Sequence, residues 1–332
     1  MRGGNPWYDP SRPHHTPHGF RNPPGNPAWH RPTPGVAAAW ANFVTDLWRN
    51  RNRREALGRD HCLSESDVFT GLQRATGDCA LTWLGHACFL IRLGEHRVLT
   101  DPFLSDYASP VPTATTRRQV PPALRVNQLP RIDTILVSHN HYDHFDRDSL
   151  RALAGRFPSA RVLVPLGLGG LARACGFERV TELDWYQSLA CEALEVAALP
   201  AIHMSRRGLL DQNRTLWCGF SIRGAGRCIY FAGDTAWGPV FREVSAFLGA
   251  VDTALVPIGA YEPRRLMHCV HATPEEALHI AETLGAREVI GMHWGTIRLT
   301  TEPMDEPPRR FMAARTSLRR RLMAVGETHA GC

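Results

Sequence analysis

Short apolar segments recur along most of the chain after residue 80, and glycine- and proline-rich turns separate them. Strands dominate the first part of this region and alternate with helical segments in the later part, which is typical of an α/β fold. We predict strands over residues 81–84, 87–93, 97–100, 135–137, 161–164, 179–183, 194–199, 216–222, 227–232, 254–258 and 288–292. We predict helical segments over residues 36–48, 146–153, 166–175 and 274–284, the last capped by Thr273.

The first 35 residues differ from the rest, because they are rich in proline, glycine and histidine and lack apolar periodicity. We predict an irregular arm over residues 1–35. Four aromatic side chains in it indicate that the arm docks on the body or on a second subunit: Trp7, Tyr8, Phe20 and Trp29. Three of its histidines are either solvated, which we favour, or an accessory metal site: His14, His15 and His18.

Residues 36–79 form a predicted helical segment that precedes the main domain at residues 80–332. Its first helix carries an apolar, aromatic-rich face, and a run of arginines extends from Arg49 to Arg54 directly after it. Such a helix either lies at a membrane interface or packs on its own domain. We favour packing, because many domain helices have the same amphipathic pattern.

The clearest chemical signal follows the predicted strand at 135–137. Three histidines and one aspartate stand within six positions there: His139, His141, Asp143 and His144. Imidazole nitrogens and carboxylate oxygens are the ligands that suit zinc or iron. Their spacing at the end of a strand predicts a metal site rather than a polar loop whose histidines only form hydrogen bonds.

Three later strands repeat this arrangement, since each is followed by a ligand-type residue: His203, Asp234 and His293. Seven candidates are too many for one tetrahedral ion, so we predict two metal ions. His139, His141 and His203 would bind one ion and Asp143, His144 and His293 the other, with Asp234 as the bridge. Two ions roughly 3.5–4 Å apart can share a hydroxide and clamp the oxygens of a displacement at carbon or phosphorus. The predicted chemistry is hydrolysis of an ester, amide, lactone or phosphodiester.

Two residues near other strand ends have two interpretations each. Asp101 either supports a metal ligand or closes a turn, and His86 either faces the site or belongs to the turn at Gly85. Three arginines are candidate phosphate partners, although at least one is expected to form a surface ion pair instead: Arg206, Arg207 and Arg264.

Composition narrows the classes of function. The formal net charge is +6, the sequence contains no lysine, and the charge is too small to indicate nucleic-acid binding by itself. The nine cysteines form no C-x-x-C pair, which favours a reducing compartment and argues against a disulfide framework. The first residues are not typical of a signal peptide, and no apolar run is long enough to span a bilayer. We therefore expect a cytoplasmic protein, either free in the cytoplasm or peripheral on the inner membrane face.

With these residues in view, the chain resembles the metallo-β-lactamase superfamily through His-x-His-x-Asp-His at 139–144 and its later ligands. Within that superfamily it resembles the N-acylphosphatidylethanolamine-hydrolysing phospholipases D. The resemblance covers residues 80–310 and rests on these segments: WLGHA at 83–87, LTDP at 99–102, ASP at 108–110, SHNHYDH at 138–144, VPLG at 164–167, ELDW at 182–185, FAGDT at 231–235, PIGAYEPR at 257–264, His271, PEEA at 274–277 and HWGT at 293–296.

This resemblance implies an αβ/βα four-layer sandwich, two zinc ions per subunit and a homodimer at a membrane surface. It implies cleavage of the phosphodiester on the head-group side of N-acylphosphatidylethanolamine, which yields phosphatidic acid and an N-acylethanolamine. Asp143 would hold the nucleophilic hydroxide that bridges the metals and attacks phosphorus, and His271 would contact the head group. Tyr261 and Arg264 are further expected substrate contacts. The proline- and histidine-rich arm and the basic segment at 309–321 depart from the family pattern.

Three other functions are compatible with parts of the sequence. A lactonase or phosphodiesterase for small soluble molecules would use the same ligands. A nucleic-acid hydrolase would need a basic track with interleaved aromatic residues, which is missing beyond the N-terminal helix, so we expect no nucleic-acid partner. A non-catalytic relative would have lost a ligand, and all seven are present.

Overall fold

The computed structural model describes residues 4–28, 33–53, 55 and 57–332. Trp29 and Arg54 lie outside the described residues. The helices of the described chain are α1 (Pro34–Arg49), α2 (Glu65–Arg74), α3 (Arg147–Arg156), α4 (Gly169–Arg173), α5 (Val240–Leu248), α6 (Arg264–Met267), α7 (Pro274–Thr283) and α8 (Glu306–Ala313). Short 3₁₀ turns lie at Arg59–His61 and Val126–Gln128.

The strands form one small hairpin and two large sheets in the described part of the chain. The hairpin joins β1 (His15–Thr16) to β2 (Gly19–Phe20). The first sheet consists of β3 (Cys79–Gly85), β4 (Cys88–Leu93), β5 (His96–Thr100), β6 (Thr134–Leu136), β7 (Arg161–Pro165), β8 (Val180–Leu183) and β16 (Thr328–Ala330), in the order β16-β3-β4-β5-β6-β7-β8. The second consists of β9 (Ser188–Cys191), β10 (Leu194–Leu199), β11 (Gly219–Gly224), β12 (Arg227–Phe231), β13 (Val251–Pro257), β14 (Ala286–Met292) and β15 (Arg319–Arg321), in the order β15-β14-β13-β12-β11-β10-β9.

The two sheets pack face to face, and the side-chain alternation of β4 shows how. Phe89 and Ile91 belong to the buried cluster between the sheets, whereas Cys88 and Leu90 belong to the cluster under the outer helices. Helices α2, α3 and α4 cover the first sheet, and α5 and α7 cover the second. Burying each large apolar side chain contributes about 1.5–3 kcal/mol. The predicted αβ/βα four-layer sandwich is therefore confirmed.

Parallel pairing brings the ends of the central strands to one edge of this sandwich. In the first sheet Thr100 pairs with Leu136, so the residues that follow β5 and β6 lie side by side. In the second sheet Pro257 pairs with Met292, which sets the turns after β13 and β14 at the same level. The carboxyl ends of parallel strands are where such sheets place their sites.

The arm and α1 both pack on this body. Phe20 of the arm is buried in the main cluster, and Trp7 packs against it. Phe43 of α1 is buried against Met204 and the segment around α6. Packing is thus confirmed for α1, although part of its apolar face stays exposed. No helix in residues 4–28, 33–53, 55 and 57–332 is both long and apolar enough to cross a bilayer. The domain boundaries at residues 36 and 80 stay a prediction.

The cysteines form no disulfide framework, but one disulfide was not expected from the sequence. Cys79 and Cys332 form it between residues 253 positions apart, and the other seven cysteines in the described chain take part in no disulfide. Antiparallel pairing of β16 with β3, with His329 opposite Leu81, brings the two cysteines together. Sequence spacing carries no sign of this contact because β3 and β16 lie at opposite ends of the main domain in sequence.

Some of the helices differ from those predicted from the sequence, and the differences have physical reasons. The helix predicted over 166–175 is restricted to α4, because Gly167 adopts φ +91° and two further glycines start the helix. Helices α5, α6 and α8 were not predicted, and α2 lies within the segment predicted to be helical at residues 36–79. The predicted cap of α7 is confirmed, since the Thr273 side chain accepts from the Glu276 amide and the Glu276 carboxylate accepts from Thr273.

Candidate metal centre

All seven predicted ligands meet at the edge where the two sheets end. His139, His141, Asp143 and His144 occupy the loop between β6 and α3. The other three follow β10, β12 and β14, as the sequence predicted: His203, Asp234 and His293. Gly233 has φ +59° and lies so close to Ser138 that a Cβ would stand 2.6 Å from the serine Cβ, which explains the glycine before Asp234.

The first group of ligands consists of His139, His141, His203 and Asp234, whose ligand atoms all lie within 4.8 Å of one another. Nε2 of His139 is 2.9 Å from Nδ1 of His141, which is 3.2 Å from Nε2 of His203. Asp234 Oδ2 lies 3.8 Å from the His139 nitrogen and 3.7 Å from that of His203. Several ring nitrogens that face one point in this way suit a shared cation.

The second group contains the predicted Asp143, His144 and His293, and it also contains His86. Asp143 Oδ2 lies 2.9 Å from His86 Nε2, 3.5 Å from His144 Nε2 and 3.6 Å from His293 Nε2. The open question about His86 is therefore answered: its side chain faces the site.

Asp234 lies between the two groups. Its Oδ2 is 3.2 Å from His144 Nε2, and its Oδ1 is 3.2 Å from His293 Nε2. Asp234 Oδ1, His144 Nε2 and His293 Nε2 are buried and have no hydrogen-bond partner among the described residues. Buried polar atoms normally have partners, so these atoms fit a metal centre, and Asp234 lies within reach of both ligand groups.

A further layer of contacts orients the ligands. The Asp101 carboxylate accepts from the Ser138 amide at 2.7 Å and from the Ser138 hydroxyl at 2.6 Å, and it lies 2.6 Å from His144 Nδ1. His203 Nδ1 lies 2.8 Å from the Val270 carbonyl. These contacts leave Nε2 of each ring to face the centre. Asp101 therefore supports a ligand and does not merely close a turn.

Comparison with known proteins identifies the fold and the family. A profile described as "Beta-lactamase superfamily domain" matches residues 96–294. The Caenorhabditis elegans protein named N-acyl-phosphatidylethanolamine-hydrolyzing phospholipase D 1 is 40% identical over 237 residues. The match covers 68% of this chain and 67% of that protein. The chain belongs to the metallo-β-lactamase superfamily, in the family of these phospholipases D.

Two further comparisons agree with this assignment. The uncharacterized protein Rv0906 of Mycobacterium tuberculosis is 40% identical over 71% of this chain and 63% of its own length, so the match spans just under two thirds of that relative. A possible metal-dependent hydrolase from Veillonella parvula superposes with a TM-score of 0.64 over 76% of this chain and all of its own, at 17% identity. The second likeness shows the fold alone.

The electrostatics of this metallo-β-lactamase centre divide its histidines into neutral and positively charged rings. Burial lowers the pKa of His86 and of His141 to about 3, so both rings are uncharged at neutral pH. Burial opposes ionisation of Asp234, yet His144 and His293 beside it hold its pKa well below the usual range. Burial also opposes charge on His293, but Asp234 overrides this effect and raises the His293 pKa to about 9. His293 therefore carries a proton beside the Asp234 carboxylate, and a cation that binds its Nε2 would displace that proton.

Three ligand-bearing turns have unusual backbone conformations. His86, Asp101 and His293 have φ values of 58°, 32° and 60°. Positive φ is uncommon outside glycine and is best tolerated by Asn, Asp and His, so such residues often mark functional sites. This signal cannot be read from the sequence.

The predicted substrate contacts lie at different places. His271 lies in a group with Asp234 and His293 within 4.8 Å, next to the metal ligands. Arg264 donates to the His271 carbonyl at 2.6 Å and forms an ion pair with Glu276. Tyr261 is fully buried and donates to Glu306 at 2.6 Å. A substrate role for these residues stays a prediction, and the contacts of Arg264 are those of a residue that supports His271.

An open groove of about 600 Å³ leads to His141. It is lined by α1 and by the loop after His203, through these residues: Trp40, His141, Met204, Arg206, Arg207 and Gly208. Arg207 donates to the carbonyls of Asn140 and Phe145, so its role is largely structural. The exposed Arg206 is the candidate phosphate partner that best fits the groove.

Proposed function

We propose that this protein is a phospholipase D-type phosphodiesterase that hydrolyses N-acylphosphatidylethanolamine to N-acylethanolamine and phosphatidic acid. One observation carries the proposal: the two ligand groups, which meet at Asp234, adjoin a groove that reaches His141 and is lined by two apolar side chains and two arginines. Trp40 and Met204 suit acyl chains, and Arg206 suits a phosphate. The related protein of Caenorhabditis elegans bears the name of this activity.

We propose two zinc ions as the cofactor, because the ligands are imidazoles and carboxylates without cysteine. His139, His141 and His203 would hold one ion, and His144, His293 and Asp143, with His86 beside them, the other, with Asp234 between. Such ions lower the pKa of water and neutralise phosphate oxygens.

The residues of the chain divide the remaining tasks. Asp143 keeps 11% of its side chain exposed against 2% for Asp234, so Asp143 is the more accessible of the two carboxylates. We propose that Asp143 accepts a hydrogen bond from the attacking water and so orients it toward phosphorus. His86 Nε2, 2.9 Å from Asp143 Oδ2, fixes this carboxylate. His271 would contact the leaving head group.

The groove opens beside an apolar surface that suits a membrane partner. Val44 and Trp48 continue the helix face of Trp40 and are 58% and 62% exposed. Leu209 and Leu210, directly after the groove residue Gly208, are 86% and 76% exposed. We call these four side chains the lipid face. Arg51 lies over the Trp48 ring at 4.3 Å, and exposed apolar residues flanked by arginines suit an anionic bilayer surface.

We therefore propose peripheral attachment to a membrane surface. We propose its cytoplasmic face because seven of the nine cysteines, all of them among the described residues, take part in no disulfide, whereas Cys79 and Cys332 form one. We also propose a homodimer, which light scattering at several protein concentrations tests. Cosedimentation with phosphatidylcholine–phosphatidylglycerol vesicles tests the lipid face: Trp48→Ala is expected to release the protein. Phe247→Ala, which removes an aromatic side chain that is 47% exposed on α5, is the matched control.

Activity is tested with metal-loaded protein, N-acylphosphatidylethanolamine in mixed micelles, and mass detection of both products. We expect His139→Ala and Asp234→Asn to abolish release, whereas His279→Ala, at an exposed histidine, leaves it unchanged. Intact phospholipid after prolonged incubation with the wild type would refute the proposal. Turnover of a soluble lactone or phosphodiester with no gain from micelles would instead support a hydrolase of small molecules.

A further inference from the structure

The N-terminal arm contacts a buried carboxylate, Asp184, in the turn between β8 and β9. Asp184 Oδ1 lies 2.7 Å from His14 Nε2, and its Oδ2 lies 3.1 Å from His15 Nε2 and 3.0 Å from an Arg12 nitrogen. His14, His15 and Asp184 are all buried, so the favoured prediction of solvated histidines is wrong for these two and holds only for the exposed His18. We call these four side chains the arm latch.

The arm latch has the chemistry of an ion-paired contact, although two histidines and an aspartate also resemble metal ligands. The Asp9 amide donates to His15 Nδ1 at 3.2 Å, so a neutral His15 carries its proton on Nε2, toward Asp184. Such a nitrogen has no lone pair for an ion. Arg12 already supplies a positive charge to the same carboxylate, and the Trp185 amide donates to it at 2.8 Å.

The arm reaches a metal ligand directly. Asn22 Oδ1 accepts a hydrogen bond from the His203 amide at 3.0 Å, and Asn22 Nδ2 donates to the Pro27 carbonyl at 2.9 Å. His203 lies in a segment without helix or strand pairing, so its position depends on contacts of this kind. The hydrogen bond between the His203 amide and Asn22 therefore connects the arm directly to the backbone of a metal ligand.

A second route joins the arm latch to the same segment. The His14 ring stacks on Trp185 with centroids 4.2 Å apart. Trp185 Nε1 donates to the Trp217 carbonyl at 2.7 Å, and Trp217 Nε1 donates to the Ala201 carbonyl at 2.9 Å. Ala201 precedes His203 by two positions, so both routes converge on one side of the first ligand group.

We propose that arm residues 5–28 form a strap that positions His203 for metal binding, with Asn22 and Asp184 as its positioning residues. The inference rests on the proposed two-ion centre. It predicts a local effect, because the second ligand group is built from other loops and keeps its geometry when the strap is loosened.

Retention of metal, rather than turnover, tests this strap. Zinc-loaded full-length protein is dialysed against a weak chelator, and ions per chain are followed by elemental analysis, with circular dichroism as the check on folding. We expect Asn22→Ala and Asp184→Asn to lose one ion at least about tenfold faster than the wild type, the scale of other ligand-orienting contacts. Asn22→Asp keeps the acceptor for the His203 amide and is expected to retain both ions. His18→Ala, at an exposed histidine of the same arm, is the control.

Each result bears on the strap. Loss of one ion at the wild-type rate in folded Asn22→Ala and Asp184→Asn would overturn it, as would equal loss of both ions. A third ion per chain that disappears in Asp184→Asn would replace the arm latch with a metal site. A wild type with fewer than two ions would remove the centre on which the strap rests. The predicted pattern of ion loss in a protein that leaves N-acylphosphatidylethanolamine intact would refute the proposed substrate and leave the strap standing.

Discussion

The exchange Asp101→Asn tests how far the metal centre depends on contacts behind its ligands. Asp101 is fully buried and serves three donors: the Ser138 amide, the Ser138 hydroxyl and His144 Nδ1. An asparagine has nearly the same shape but offers one acceptor oxygen. Both carboxylate oxygens of Asp101 accept hydrogen bonds, so the NH₂ group of an asparagine would face a donor in either orientation of its side chain.

The expected loss in the free energy of unfolding follows from the number of hydrogen bonds that asparagine cannot accept. At least one hydrogen bond to a charged acceptor is lost, worth about 1.5–3 kcal/mol, and a buried donor is left without an acceptor, which costs about 1–3 kcal/mol. We expect the metal-free protein to lose about 3–5 kcal/mol of its free energy of unfolding. Because His144 also loses the partner that orients its ring, we expect metal affinity to fall about 10- to 100-fold.

Chemical denaturation of metal-free protein measures the first quantity, and competition with a chromophoric chelator measures the second. Asp252→Asn is the matched control, since Asp252 accepts from the Cys228 amide at 2.9 Å and pairs with Arg287 at 3.0 Å at the opposite end of β13. That variant is expected to lose some stability and to keep the metal affinity of the wild type. Wild-type affinity in folded Asp101→Asn would refute the reasoning.

Other expectations follow from single contacts. Cys79→Ser is expected to lower the free energy of unfolding by up to about 5 kcal/mol, from the chain-entropy relation for a 253-residue separation, and unchanged denaturation under oxidising conditions would contradict this. Burial opposes ionisation of Asp184, but the histidines of the arm latch lower its pKa, so the unfolded chain takes up this proton first as pH falls. Stability from Asp184 is then fully present above the unfolded pKa of about 3.9 and is lost below it, and Asp184→Asn is expected to flatten the acid limb of denaturation curves. If Arg264 acts by holding the His271 carbonyl, Glu276→Gln is expected to lower kcat nearly as much as Arg264→Gln, whereas a KM increase confined to Arg264→Gln would indicate direct substrate contact.

Several parts of the site could be predicted because local pattern and global fold coincide there. An apolar strand with a histidine or aspartate at its end is visible in sequence, and strands that run in the same direction bring such ends to one edge of a sheet. This is why His203, Asp234 and His293 converge with the 139–144 loop. The family resemblance added the two-sheet architecture, and the comparisons confirmed it.

Other parts depend on partners that are distant in sequence and leave no local trace. His86 could not be assigned before its positive φ and its distance from Asp143 were known. Arg264 stands in a family motif, yet its guanidinium is occupied by Glu276 and a carbonyl. Likewise the histidines of the arm have no periodicity, and only the fold shows that two of them meet Asp184.

The outer edge of the second sheet limits how two chains can associate. Strand β15 consists of Arg319, Arg320 and Arg321 and pairs on one side only, with β14. An unpaired strand edge invites another strand, but two copies of this one placed side by side would set arginine against arginine. Repulsion between like charges therefore disfavours edge-to-edge pairing of the second sheets of two chains. The proposed homodimer consequently has to form through a different surface.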